Sequence, residues 1–183
     1  MNEKINPWKT ISTALKYENP WIRVEEHQVL NPSGKEGIYG TVHFKNIAIG
    51  IIPVDDEGNT WLVGQYRYPL NRYSWEIIEG GGKIGVDPLE SAQRELLEEA
   101  GIVAEQWELL TTLHTSNSVT DELGIIYVAR NLSFTQSQPD ETEQLVVKKI
   151  PIKEALEMVL QNQITDSISM IGIMRYWLKY KGK

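Results

Sequence analysis

The run Gly80–Ile102, GGGKIGVDPLESAQRELLEEAGI, decides how the rest of this 183-residue chain is read. Asp87 precedes Pro88, and Glu90 lies three residues beyond Asp87. Asp87 is thus placed to cap a helix, Pro88 to open it and Glu90 to return the second bond of a capping box. Leu89, Ala92, Leu96 and Ala100 recur at helical spacing as a narrow apolar stripe, and Gly101 supplies the left-handed residue that commonly closes a helix. The pattern predicts a helix from about Pro88 to Ala100, introduced by a glycine-rich loop. Arg94, Glu95, Glu98 and Glu99 crowd into two of its turns. Like charges three and four residues apart cost about a few tenths of a kcal/mol per pair, so a cation is expected among them.

A donor set made of carboxylate oxygens suits a hard divalent ion, Mg²⁺ or Mn²⁺, better than zinc, which favours imidazole or thiolate. The chain has no cysteine. A bare ExxEE is more often a solvated acidic face, but here a glycine-rich loop, a cap and Gly101 frame it.

The segment resembles the box of the Nudix hydrolases, G-x5-E-x7-R-E-U-x-E-E-x-G-U with U aliphatic. Gly80, Arg94, Glu95, Leu96, Glu98, Glu99, Gly101 and Ile102 stand at the required spacing. Val86 stands where that pattern has its first glutamate. The carboxylate that would brace Arg94 is therefore missing, and Arg94 is expected to turn to Glu98 or to a backbone carbonyl. The resemblance implies metal ligation by Glu95 and Glu99 with Glu98 in support, and a further metal contact from a backbone carbonyl just before the box, at Glu79. It also implies a glutamate on a loop after the box that orients the attacking water, for which spacing points to Glu143, with Glu141 the near alternative. Arg94, Glu98, Glu99 and Glu143 form the expected catalytic set.

Composition fits one soluble domain with an extension. The length suffices for a full core, no apolar run approaches a membrane span, and the N-terminal MNEKINPWKT lacks the apolar stretch of a signal peptide, so the cytoplasm is the expected compartment. The net charge of -7 argues against a broad nucleic-acid-binding surface. Handling phosphates then calls for bound metal and a few placed arginines.

Trp21 to Val29 and Ile38 to Phe44 alternate as strands around the turn at Asn31-Pro-Ser-Gly, an N-terminal antiparallel hairpin. Ile47 to Val54 and Thr60 to Tyr66 read as a second pair around Asp55–Asn59, with Ser74 to Ile78 leading into the glycines. Strands are expected at 108–114, 125–130 and 145–150, and helices at 151–161, with Ile152, Leu156 and Val159 inward, and at 167–180. The fold class is α/β, a Nudix-type α/β/α sandwich with a mixed sheet plus an N-terminal antiparallel β extension. The boundaries are residues 1–45 for the extension and 46–183 for the catalytic domain.

Outside the box, the segments beginning at Asn19-Pro-Trp, GQYRYPLNRYSWEIIEGGG and PDETEQLVVKKIPIKEAL are similar to the ADP-ribose pyrophosphatase branch of the family. That resemblance implies hydrolysis of the pyrophosphate in a nucleoside diphosphate joined to a sugar, giving nucleoside monophosphate and sugar phosphate. It also implies a homodimer in which the hairpin, roughly 15–45, reaches the partner's substrate pocket. One marker differs. The branch usually carries a proline in this loop, and here the run is Ser116-Asn117-Ser118 before Thr120-Asp121-Glu122. Nucleotide sugars such as GDP-mannose or UDP-glucose therefore stand beside ADP-ribose as candidates.

Arg67 in QYRYP is expected to bracket phosphate oxygens with its planar guanidinium, against the alternative of a surface ion pair. Arg72 is balanced between the two roles. Trp21, ahead of Tyr68 and Trp75, is the candidate platform for a nucleobase, although aromatic residues beside strands are more often core. Glu122 is a candidate substrate contact. His114, the histidine nearest the box in sequence, is at most a supporting residue. Two other readings stay open: a non-catalytic nucleotide-binding Nudix domain, which Val86 keeps in play, and a hydrolase of dinucleoside polyphosphates or capped RNA.

Overall fold

The computed structural model describes residues 5–137 and 144–182. It contains ten strands and three α-helices in two compact units, one built from the described residues up to Asn46 together with Ser116–Glu122, the other from Ile47–Thr115 and the described residues from Leu123 onward.

The first unit is an antiparallel sheet of β1 (Lys9–Glu18), β2 (Ile22–Leu30) and β3 (Glu36–Phe44), in the order β1-β2-β3. The β2–β3 hairpin is where the sequence placed it, with Arg23 opposite His43, Glu25 opposite Thr41 and His27 opposite Tyr39. Strand β1 was not foreseen; KTISTALKYE alternates as a strand does but is exposed along its whole length. The segment 116–122 was read as a loop of the catalytic domain. It instead lies along β3: the Val42 N–H donates to the Val119 carbonyl at 2.8 Å, the Tyr39 hydroxyl to the Ser118 carbonyl at 2.6 Å, and the Phe44 N–H to the Asp121 carboxylate at 3.1 Å.

The second unit holds β4 (Asn46–Pro53), β5 (Asn59–Arg67), β6 (Arg72–Glu76), β7 (Ile78–Lys83), α1 (Pro88–Ala100), β8 (Ile102–His114), β9 (Leu123–Phe134), β10 (Val146–Pro151), α2 (Ile152–Leu160) and α3 (Ser167–Tyr180). Its strands form a mixed sheet ordered β7-β4-β9-β8, in which β4 and β9 run parallel and β8 and β9 antiparallel, and a second sheet ordered β10-β5-β6. The α/β class and the mixed sheet stand. The pairing of β4 with β5 does not: a single bridge, Val54 to Thr60, joins them before they part into different sheets. The Asp55–Gly58 turn looks like a hairpin turn, but β4 reads NIAIGIIP and is apolar on both faces, the signature of a central strand.

Those two faces build two cores. Ile49 and Ile51 pack with Trp61, Val63, Ala92 and Leu96 on the α1 side. Ile52 packs with Leu62, Ile126, Val128, Ala155, Val159 and Ile173 on the side of α2 and α3. Helices therefore clasp the sheets from both sides. The buried face of α2 is Ile152, Ala155, Met158 and Val159, with Leu156 only partly covered. Among the described residues no helix is long and apolar enough to cross a membrane.

Candidate active site

Helix α1 spans the residues its sequence indicates, although the Glu90 side chain does not return the second bond of a capping box. The Asp87 carboxylate accepts from the Leu89 N–H at 2.9 Å, Pro88 opens the first turn, and Gly101 at φ 64° closes the last. Ala92 and Leu96 are fully buried, and this stripe fixes which way the acidic residues face. Glu95 and Glu99 are themselves buried, at 9% and 4% exposure, while Glu98 sits at the rim.

The glycines before the box are strand rather than loop: Gly80, Gly81 and Gly82 belong to β7. Their smallness lets the strand run against α1. A Cβ added at Gly80 would stand 1.9 Å from the Glu95 carboxyl carbon, so the backbone here lies directly on that carboxylate.

Arg94 ties the two elements together. Its Nη1 donates to Glu98 Oε2 at 2.6 Å, and its Nη2 donates to Glu95 Oε1 at 2.6 Å and to the Gly81 carbonyl at 3.0 Å. Burial pushes the guanidinium's pKa down, but Glu95 and Glu98 outweigh it and hold the charge above its ordinary value. Both partners expected of Arg94 are present, the i,i+4 acid and the backbone carbonyl. Val86, 39% exposed, sits where its N–H closes a turn onto the Lys83 carbonyl at 3.1 Å. The arginine is braced without a carboxylate at that position.

A second polar group lies at the start of β7. The Ser169 hydroxyl donates to Glu79 Oε1 at 2.6 Å and accepts from the Ile77 N–H at 3.0 Å, while Asp166 caps α3 by accepting from the Ser169 N–H at 2.8 Å. Burial, with the charge and hydrogen bond of Asp166, pushes the Glu79 carboxyl well above the ordinary range. Its side chain is thus committed toward α3. Nearby, Arg67 Nε donates to both oxygens of Glu76 at 3.0 Å and Nη2 donates to Oε2 at 2.5 Å. Glu76 is only 2% exposed. Burial lowers the Arg67 pKa, and Glu76, then Glu79 and Asp166, raise it on balance. Glu76 was not singled out from sequence. The signal was its place on β6, two residues before the run that enters the glycines, in the strand that pairs with the one carrying Arg67.

Arg72 hydrogen-bonds Thr165. Tyr68 is 91% exposed in a 3-10 turn, and Trp75 packs edge-on against Tyr73 with centroids 5.6 Å apart. Trp21, 65% exposed, and Glu122 belong to the first unit, and His114 is the exposed last residue of β8. Glu141 and Glu143 lie outside the described residues.

Comparison with known proteins gives this geometry a lineage. Residues 44–168 match the model of the NUDIX domain. The chain belongs to the Nudix family of pyrophosphohydrolases. A second match covers residues 8–42, to the nucleoside diphosphate sugar hydrolase N-terminal domain. This Nudix chain is 32% identical to the methanol dehydrogenase activator of Bacillus methanolicus over 90% of each chain. It is 30% identical to the ADP-ribose pyrophosphatase of Bacillus subtilis, over 93% of each. It also matches the ADP-ribose pyrophosphatase of Mycobacterium tuberculosis at 31% identity, over 91% of this chain and 82% of that one. Among solved structures, a crystal structure of an ADP compounds hydrolase superposes with a TM-score of 0.84 over 99% of both chains at 22% identity, a likeness of fold.

Nudix hydrolases as a family use a divalent metal, and the residues here fit one. Glu95, beside the bare β7 backbone at Gly80, and Glu98 and Glu99 on the same helix offer carboxylate oxygens, an oxygen-only donor set of the kind a hard cation takes.

Proposed function

We propose that this Nudix enzyme hydrolyses the pyrophosphate bond of a nucleoside diphosphate joined to a sugar, ADP-ribose or a nucleotide sugar such as GDP-mannose or UDP-glucose, in the presence of Mg²⁺ or Mn²⁺. The observation that carries the reading is the burial of Glu95 and Glu99 on one helix, with Glu95 directly against the β7 backbone, where a side chain at Gly80 would collide with it. Three carboxylates crowd into two turns of α1, where Glu95 and Glu98 share the single guanidinium of Arg94, and like charges at that spacing favour a further cation beside them. Relatives named ADP-ribose pyrophosphatase, similar along nearly the whole chain, support the substrate class.

In this reading water attacks one phosphorus, the bridging P–O bond breaks, the attacking water's proton passes to a base, and two monophosphates leave. Glu95, Glu98 and Glu99, with the backbone carbonyl of Glu79, would hold a divalent ion, whose chemistry there would be charge neutralisation at the phosphoryl oxygens. Arg94 holds Glu95 and Glu98 in place from the side. Arg67, oriented by Glu76, presents a guanidinium to the diphosphate. Glu143, or Glu141 beside it in sequence, orients the water. Trp21 and Glu122 contact the nucleoside or sugar.

We also propose that the N-terminal residues, 1–45 in the boundary given above, mediate a homodimer. Tyr17 and Ile38 are each more than half exposed on one face of the sheet of the first unit, and Leu15 is as open on the other, apolar surface that suits a second copy.

The test is product analysis with Mg²⁺ against ADP-ribose, GDP-mannose, UDP-glucose, ADP-glucose and a dinucleoside polyphosphate, with Glu99→Gln as control. Nucleoside monophosphate plus sugar phosphate, absent with the variant, is the expected result. Turnover of the dinucleoside polyphosphate alone would replace the substrate class, and nucleotide binding without products would replace catalysis.

A further inference from the structure

Two of the three histidines of this chain meet a glutamate on one face of the N-terminal sheet, away in sequence from every residue of the box. Glu25 and His27 are alternate residues of β2, and His43 lies on β3 one pair along, opposite Arg23. Alternate residues of paired strands share a face, so all three side chains project to the same side. Glu25 Oε2 lies 3.4 Å from His43 Nε2 and 3.8 Å from His27 Nε2, and the three ligand atoms all fall within 4.8 Å of one another. All three residues are half-buried.

The outer contacts aim the rings. The His43 Nδ1 is 2.6 Å from Asp121 Oδ2. An ionised carboxylate only accepts, so Nδ1 carries the proton, and in the neutral ring Nε2 is left as a lone pair. That lone pair faces an oxygen of Glu25 at 3.4 Å, two acceptors pointing at one place. The second ring does the same: His27 Nδ1 is held by the Thr13 hydroxyl at 2.9 Å, and its Nε2 turns inward. Between the two rings stands the Thr41 hydroxyl, 2.9 Å from His27 Nε2 and 3.0 Å from His43 Nε2, with one proton to give to two nitrogens. Glu25 keeps its other oxygen on Arg23 at 3.2 Å.

We infer that Glu25, His27 and His43 form a binding site for a borderline transition-metal ion of the Zn²⁺ class, separate from the box carboxylates. Two imidazoles and one carboxylate are the donor set of three-ligand zinc sites with an open fourth position, a set unlike the oxygen-only box. Tetrahedral bonds of about 2.1 Å place ligand atoms about 3.4 Å apart, close to the two glutamate distances here. Asp121 on His43 is the carboxylate–histidine partner that orients metal-ligating rings, and Thr13 serves His27 in the same way. The Thr41 hydroxyl, already within reach of both rings, takes the fourth position or yields it to water. A cavity lined by Trp8, Tyr39, Thr41 and His27 gives an ion access. The bound ion would pin β2 to β3 and, through Asp121, pin the segment 116–122 to both.

The experiment is a Co²⁺ titration of the full chain in millimolar Mg²⁺, read by visible absorbance, with Zn²⁺ competition and metal analysis after desalting. The expected result is one equivalent bound with the intense bands of a four- or five-coordinate ion, displaced by Zn²⁺. His27→Ala and His43→Ala should each abolish the bands. Asp121→Asn should weaken affinity about 10- to 100-fold, the usual effect of removing such an outer partner. His114→Ala and Glu99→Gln should leave the bands and the stoichiometry unchanged, which separates this site from the box. If the histidine variants fail to fold, Zn²⁺ added to the wild type should shift the ¹⁵N resonances of His27 and His43 and leave His114 unmoved. No bands in the wild type, bands lost with Glu99→Gln instead, or a His43 resonance that reports a doubly protonated ring and ignores Zn²⁺ would overturn the inference.

Discussion

The Glu95 carboxylate occupies the space in which a side chain at Gly80 would stand, 1.9 Å from the position of a Cβ. The glycine is there for the acid. Gly80→Ala would meet the far end of a flexible side chain rather than backbone, so Glu95 can swing away and the fold survives. Its donor position does not. A displacement of about 1 Å in a catalytic constellation costs on the order of 10²-fold. Gly80→Ala is expected to melt within a few degrees of wild type while kcat/KM falls about 100-fold, measured by thermal denaturation and steady-state kinetics on the best substrate of the panel.

Arg94 serves three acceptors with one planar group. Lysine keeps the charge but not the fork, so Arg94→Lys is expected to lower kcat/KM by roughly 10-fold or more. Val86→Glu puts back the acid that the family pattern places there. Because Arg94 is already satisfied and Val86 is 39% exposed, this change should move kcat/KM by no more than about threefold. A gain of 100-fold on Val86→Glu would show that the Glu98 and Gly81 contacts do not replace the missing brace.

How much of this was written in the sequence differs by element. Helix α1 was legible to the residue because its signals are local: a cap at Asp87, Pro88, and Gly101 at the end. Helix α3 was legible from its period alone. The pairing of β4 with β5 was misread because a good turn between two strands predicts a hairpin, while the apolar residues on both faces of β4 decide its central place. The glycines were read as a loop because glycine is rare inside strands, and only the close approach of Glu95 explains them there. The segment 116–122 and the Glu25, His27, His43 group were invisible for another reason. Their contacts join residues with no period in common, such as His43 with Asp121, and cross-strand neighbours declare themselves only once register is known.

Stability at low pH should report Glu108. Hydrogen bonds from Lys179 and Tyr180 of α3, with Arg130 of β9, hold its pKa down at about 2. A folded-state pKa below the unfolded one means the contribution is complete above the ordinary glutamate range, near pH 4.5, and is lost as pH falls through about 2. Glu108→Gln should therefore lower the urea midpoint at pH 7. The gap from wild type should narrow below about pH 4.5 and close near pH 2. A gap independent of pH would assign the effect to packing.

Ser169 is fully buried and uses its hydroxyl twice, donating to Glu79 and accepting from the Ile77 N–H. It is the polar link between α3 and the strand that carries the glycines. Ser169→Ala leaves the buried Ile77 N–H without its acceptor and the buried Glu79 carboxyl with Asp166 but without the serine donor, and each such loss costs about 1–3 kcal/mol. The expected result is a stability loss of about 2 kcal/mol or more by urea denaturation, well above the small effect of shortening a surface serine. Ser169→Thr keeps the hydroxyl but adds a methyl where the core is closed, so it should recover part of the hydrogen-bond loss and incur strain instead. If Ser169→Ala is as stable as wild type, the Glu79 carboxyl has found another donor, and hydrogen exchange at the Ile77 amide will show whether β7 has moved with it.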